Sequence, residues 1–488
     1  MAENSQGSEI TRRDFLKTSA KTGAVGFAAM GGISFITHPE RVFGANDRVR
    51  VAICGVRGRG NDHIRSYARL PNAEIAALCD VDENVLDMRL AEVEKMGKPR
   101  PQRYIDCRKI MDDKSIDAVS IATPDHWHSL IGIYACQAGK DVYVEKPCSH
   151  AWWDGIQLVR AAEKYNRVVQ MGAQSRSNSA IQEAVKQMRD GLIGEVYLTR
   201  GLCYKWRPTI GHTPVSPVPK GVHYDLWLGP APKHDFTKNR FHYNWHWFWD
   251  YGSGDIGNQG IHEVDICRWG LGVDWPNKIS AIGGHVMFKD DQQTPNILTA
   301  AYEFDLPDGS RKMMEFEVRG WSTNHEAGIG TGAFHSHGVP AAGLQHPRPH
   351  PHHPPAGQSG AALGPVAHSP STIGNIFYGS KGYLAIDGYD SYMSWLGEGQ
   401  EPGPHANGKG DHFANFIDAV ISRRKQDLTA PIDEGHKSTM LVNLANVSYR
   451  LGRTLNFDGK TQKITGDDEA SRMLHGSFRA PFVVPEHV

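Results

Sequence analysis

At 488 residues the chain exceeds the roughly 150 that one ordinary domain holds, so two or three domains are expected. Lys+Arg total 53 against 54 Asp+Glu, and the net charge of -1 disfavours nucleic acid and anionic lipid as partners. No apolar run reaches the ~20 residues of a membrane helix, which disfavours membrane insertion, and seven scattered cysteines without a CxxC pair suggest separate buried thiols rather than a zinc cluster or a disulfide framework.

Thr11-Arg12-Arg13-Asp14-Phe15-Leu16-Lys17 precedes a mildly apolar, Gly/Ala-rich stretch ending near Val42-Phe43-Gly44-Ala45. This is the layout of a twin-arginine export signal over residues 1–45, and it implies a periplasmic or otherwise exported protein. The route carries chains already folded, often around a cofactor.

From Arg48 to Cys54 a short β-branched run leads into Gly55-Val56-Arg57-Gly58-Arg59-Gly60, and Asp62 to Leu70 reads as a helix. A glycine turn between strand and helix lets backbone amides approach a dinucleotide pyrophosphate. Arg57 holds the second glycine position of the usual pattern, so either it adds a charged phosphate contact or the close approach falls on Gly58. Arg59 lies in the same turn and is counted with it. The next strand, Glu74 to Cys79, ends in Asp80, placed to accept from ribose hydroxyls and to repel a 2′-phosphate, which favours NAD over NADP.

A strand from Ala118 to Ala122 runs into Thr123-Pro124-Asp125-His126-Trp127-His128, and another from Asp141 to Val144 ends in Glu145-Lys146-Pro147. Strands alternating with amphipathic helices build a parallel sheet with ligands at the carboxyl ends of the strands. Thr123, Pro124, His126, Glu145 and Lys146 fall on that edge. The expected fold is an α/β Rossmann domain over 46–170, then an α+β domain over 171–488 with a large, open, mostly antiparallel sheet. Its predicted strands are Glu195–Trp206, Lys278–Phe288, Leu298–Leu306, Lys312–Arg319 and Asn375–Ile386, and its predicted helices include Ser179–Arg189, His412–Ser422 and Lys437–Leu451. Residues 322–371 are rich in Gly and Pro and hold eight histidines, seven of them from His335 to His368, the composition of a flexible insert.

Seven of the twelve tryptophans lie between Trp206 and Trp275. Trp245 and Trp247 read either as stacking platforms for a sugar ring or as an aromatic core. His242 and His246 lack further partners for a metal, and no metal site is expected. His262 opens a helical segment in which Asn258 and Asp265, at i−4 and i+3, share its face. Imidazole titrates near the working pH and suits the base that takes a hydroxyl proton. Asp255 or Asp265 could balance its charge, and Asp255, Asn258, His262, Trp245 and Trp247 form the expected sugar site.

Together, Gly55 to Gly60, Asp80, Ala122-Thr123-Pro124, Glu145-Lys146-Pro147 and Gly257-Asn258-Gln259-Gly260-Ile261-His262-Glu263-Val264-Asp265 resemble the Gfo/Idh/MocA oxidoreductases, named for glucose-fructose oxidoreductase and inositol dehydrogenase. The resemblance implies bound NAD, a sugar substrate and a catalytic pair of Lys146 and His262; the open sheet face expected in the second domain favours a homo-oligomer. Many dehydrogenases of the family carry aspartate where this chain has Asn258, which cannot act as a base. An exported enzyme cannot consume NAD stoichiometrically, so the cofactor is expected to be held and recycled. Three functions are carried forward: oxidation of a sugar or glycoside hydroxyl, glycoside hydrolysis or elimination through transient oxidation at C3, and sugar binding without catalysis.

Overall fold

The computed structural model describes residues 48–332, 334 and 371–488. The expected signal over 1–45 and most of the 322–371 insert lie outside the described residues.

Six short strands, β1 (Val49–Cys54), β2 (Ala73–Cys79), β3 (Gln102–Tyr104), β4 (Ala118–Ile121), β5 (Asp141–Val144) and β6 (Val169–Met171), form a parallel sheet in the order β3-β2-β1-β4-β5-β6. Their near-continuous apolar runs are buried on both faces, as a sheet covered by crossover helices requires. The covering helices include α1 (Arg59–Arg69), α2 (Glu83–Lys95) and α3 (Asp125–Gln137). Strand order reverses between β1 and β4, so their carboxyl ends diverge and leave a crevice.

The second sheet has ten strands: β7 (Val196–Tyr204), β8 (Lys278–Gly284), β9 (Ile297–Asp305), β10 (Arg311–Arg319), β11 (Thr372–Gly379), β12 (Gly382–Asp387), β13 (Ser391–Leu396), β14 (Glu401–Asn407), β15 (Leu455–Asp458) and β16 (Lys463–Ile464). Their order is β14-β13-β12-β11-β7-β10-β9-β8-β15-β16, antiparallel throughout except for the β7–β10 pair. The single strand expected over Asn375–Ile386 is instead a hairpin, turning at Ser380 and Lys381. One face of this sheet packs on α5 (Ile261–Leu271) and α7 (Ile432–Leu451), with Val264, Cys267, Phe316, Met440 and Leu444 in the shared core. Between β7 and α5 lies α4 (Gly254–Asn258), a single helical turn.

Where the expected insert begins, residues are packed rather than free. Ile329 and Phe334 are buried against Leu202, Tyr204 and Ile376, and Glu326 accepts from Arg200 and Tyr204. All seven cysteines are free and buried. Among the described residues no helix is long and apolar enough to cross a membrane.

Candidate active site

The glycine turn is shaped by steric necessity. Gly55 has φ +79°, and a Cβ there would stand 2.7 Å from the Ala122 carbonyl oxygen. A Cβ on Gly60 would stand 1.9 Å from the Gly55 carbonyl oxygen, so α1 meets the strand end only because Gly60 has none. At Gly58 nothing lies within 4 Å of a Cβ, and the residue faces open space in the crevice. Both Arg57 and Gly58 line the crevice, and the open side of the turn lies at Gly58, one residue beyond the second glycine position of the usual pattern. Arg57 has its carbonyl fixed by the Nη2 of buried Arg89 at 2.6 Å, while Arg89 Nε donates to Val56 O at 3.0 Å. Arg89, on α2, braces the whole turn, and no local sequence signal marks it.

Asp80 stands at the end of β2. Its carboxylate accepts from Val56 N–H at 2.8 Å and Asp82 N–H at 3.0 Å, yet burial outweighs these bonds and pushes it up to about 6. Thr123 and Pro124 line the same crevice from the end of β4. His126 does not. Its ring is held by Trp227 O at 3.0 Å and faces a second cavity, so the expectation that it binds cofactor is corrected. Helix geometry accounts for this: α3 starts at Asp125, and its first turn separates successive side chains by about 100°.

Glu145 is the polar hub at the end of β5. It accepts from Arg59 Nε at 2.9 Å, His63 Nε2 at 3.0 Å and Gln174 Nε2 at 3.0 Å, and these cations and donors hold it well below the ordinary carboxylate range despite burial. Arg59 is thus committed to a carboxylate on one side of the crevice. Lys146, the next residue, donates through Nζ to the Asn258 carbonyl at the end of α4, joining two segments 112 residues apart. Burial lowers its ammonium from the usual value. Asp125, whose field acts on Lys146, accepts from Ser253 Oγ at 2.8 Å and is pushed up to about 7 by burial.

The two halves enclose a cavity of about 790 Å³, running from Cys79 and Asp80 past Gly58 to Lys146, Tyr243, Trp245 and Asn258. That volume falls in the range of ligand pockets. An open glycine turn at a helix N-terminus and an acid at the end of β2 fit a dinucleotide, and a lysine stands at the far end of the cavity. Tyr243, which sequence reading passed over, lines this far end. Burial alone would raise its hydroxyl, but the Arg207 guanidinium, with Nη1 at 3.3 Å, and Lys205 bring it below its ordinary value.

His262 lies near this constellation, with the Tyr389 ring 5.2 Å away edge-on. Burial and then Lys146 push its imidazole down to about 3, so it is a neutral hydrogen-bonding group at working pH. Asp265 is corrected as a catalytic carboxylate: it is buried in a two-pronged pair with Arg176, at 2.7 and 2.9 Å, and accepts from Ser438 Oγ at 2.6 Å. Asp255 is likewise tied to Arg207 at 2.9 and 2.7 Å and is corrected as a substrate ligand. Trp247 belongs to the aromatic core, beneath the Arg207 guanidinium at 5.3 Å, whereas Trp245 reaches the cavity and stacks on His246 at 3.5 Å. Both tryptophans are buried in one aromatic core, and Trp245 alone of the two also lines the cavity.

Comparison with known proteins gives two family-model matches, the NAD-binding Rossmann fold of an oxidoreductase family over residues 49–173 and the C-terminal alpha/beta domain of that family over 177–317 and 392–484. A glycosyl hydrolase family 109 protein of Shewanella pealeana is 32% identical over 154 residues, which cover 31% of this chain and 34% of the relative. The chain thus matches about a third of that relative's length. Among solved structures, the WlbA dehydrogenase from Bordetella pertussis in complex with NADH and UDP-GlcNAcA shares the fold with TM-score 0.56 at 18% identity, covering 84% of this chain and 99% of that one. The aldose-aldose oxidoreductase from Caulobacter crescentus, complexed with glycerol, gives TM-score 0.57 at 18% identity, covering 84% and 100%.

Proposed function

Because this chain belongs to the Gfo/Idh/MocA family of NAD-binding oxidoreductases, we propose that it oxidises a hydroxyl of a sugar or glycoside with NAD held in the crevice and recycled. The observation that carries the reading is the meeting of Lys146, Asn258 and Tyr243 at the end of the cavity opposite Asp80. The open backbone at Gly58, the Arg89-braced turn and Asp80 would hold the dinucleotide, and Asp80 favours NAD over NADP. When bound, the cofactor supplies the hydride acceptor.

The chain's own residues supply the proton chemistry. Tyr243, drawn toward ionisation by Arg207 and Lys205, takes the hydroxyl proton. Lys146, fixed by the Asn258 carbonyl, stabilises negative charge developing on the substrate oxygen. His262 remains neutral and orients a hydroxyl rather than serving as the base. Trp245 offers an aromatic wall for a sugar ring. The twin-arginine pattern supports export of the loaded, folded protein, which makes retention of NAD a requirement.

The match to a glycosyl hydrolase family 109 protein favours a second reading, in which oxidation is transient and a glycoside is cleaved without net redox change. One experiment separates the two. The as-purified protein is given a chromogenic glycoside without added acceptor: NADH absorbance marks the first reading and released aglycone the second. In either case Tyr243→Phe is expected to lower kcat by about 10²-fold or more and to remove the limb on which the rate rises with pH, because the general base is gone. His262→Ala is expected to cost about tenfold. Full activity in Tyr243→Phe would overturn the assignment.

A further inference from the structure

The charges around the catalytic end of the cavity do not balance. Arg207 is neutralised by Asp255 and Arg59 by Glu145, each at hydrogen-bond distance. Lys146 meets a carbonyl; the carboxylate acting most on it, Glu145, is shared with Arg59, and the second carboxyl, Asp125, is half-protonated near neutral pH because burial pushes it up to about 7. Lys205 follows the end of β7, and its Nζ donates to a neutral amide, Gln259 Oε1, at 3.3 Å. The carboxyl next along that chain, Glu263, receives Gln259 Nε2 at 3.2 Å but is pushed up to about 8 by burial, so it is an uncharged acid at neutral pH. Gln259 Nε2 also donates to the Tyr389 hydroxyl, and the Tyr389 ring faces His262. Lys205 is thus a half-buried ammonium solvated by an amide in place of an anion, and that amide belongs to Gln259, the residue after the Asn258 that lines the cavity. Both titrating neighbours respond to the surplus: Lys146 lowers His262, and Lys205 lowers Tyr243. An oxidised nicotinamide adds a further positive charge. A desolvated cation without a counter-charge is costly, and an anionic ligand offsets that cost.

We propose that the substrate carries a carboxylate, a uronic or aldonic acid unit, that displaces the amide of Gln259 from Lys205 and places the reacting hydroxyl between Lys146 and Tyr243. This deepens the oxidoreductase reading and rests on it for the position of the reacting hydroxyl. Gln259 and Tyr389, released from part of their mutual contact, bind ring hydroxyls beside the carboxylate. A neutral sugar leaves the Lys205 charge unmet and binds more weakly.

The test is calorimetric titration of the NAD-loaded, full-length protein with D-glucuronate, D-galacturonate and D-gluconate against D-glucose and D-galactose, which requires no turnover. At least one acid is expected to bind about tenfold or more tightly than the neutral sugars, with a preference that shrinks as salt rises. Lys205→Met should collapse that ratio to within about twofold, and Lys205→Arg should keep most of it. Equal binding of acids and neutral sugars by the wild type overturns the proposal, as does a preference that survives Lys205→Met. Should Lys205→Met fail to fold, the wild-type ratio and its salt dependence still decide. Acid preference without NADH formation or aglycone release from any sugar would leave this proposal standing and sink the catalytic reading alone.

Discussion

Asp80 accepts two backbone N–H groups at the floor of the cavity, and burial nonetheless pushes its carboxyl up to about 6. Only the ionised form accepts from two ribose hydroxyls. Since the folded value is raised, the proton is held below about pH 6 and released above it. NAD affinity is therefore expected to be full above that pH and to fall about tenfold for each unit below it. Titrating the dinucleotide at pH 7.5 and pH 5 checks this, and equal affinities would show that Asp80 does not accept from the ribose. The position of Asp80 was legible because strand, glycine turn and second strand are neighbours in sequence. Tyr243 was not: Lys205 and Arg207, from the segment after β7, and Asn258, from α4, tune it, and the spacing of Tyr243 within its aromatic run carries no mark of either segment.

At the scale of elements, α4 and α5 show where a spacing argument fails. Counting i−4 and i+3 from His262 assumes one continuous helix, which would put Asn258, His262 and Asp265 on a shared face. The helical turn of α4 ends at Asn258, α5 begins at Ile261, and Asn258 presents its carbonyl to Lys146. Asp265 meets Arg176, from the turn after β6, and Ser438 on α7. Its role is to lock these elements together. Asp265→Ala, which strips the buried Arg176 guanidinium of its two-pronged partner and leaves it only the longer ion pair with Glu434 at 3.6 Å, is expected to destabilise the fold by about 3 kcal/mol. Denaturant unfolding measures this. A stable variant that had lost only turnover would return Asp265 to the site. The β11–β12 hairpin had a local signal in Gly379-Ser380-Lys381-Gly382, with Gly382 at φ +154°, but apolar residues on both sides let it read as one strand.

For the molecule as a whole, the helix α6 (His412–Ser422), more than 240 residues beyond β6, completes the core of the first sheet. Phe413 stacks on Tyr143 at 4.7 Å, and Phe416 and Ile417 pack with Val49, Val51 and Ile53. The nucleotide-binding half cannot close its core without this late segment, so the described chain should unfold as one unit. Phe416→Ala, at a fully buried position, is expected to cost about 3–5 kcal/mol and to lower a single transition rather than split it in two. Differential scanning calorimetry distinguishes these outcomes.

The sequence by itself determined the parallel sheet, its glycine turn, Asp80 and the strand-end Lys146, because these depend on side-chain periodicity and steric demands acting over a few residues. Helix α6 was equally legible as a helix, from its apolar spacing, but not as part of the first core. Only the tertiary structure decided which polar groups face the cavity. His126, Asp255, Asp265 and Trp247 are of suitable chemical type, yet each is drawn away by a partner distant in sequence, while Tyr243 and Lys205 acquire their properties from charges that folding brings beside them. Electrostatic neighbourhoods are set by distance in space, and the linear order of residues does not record that distance.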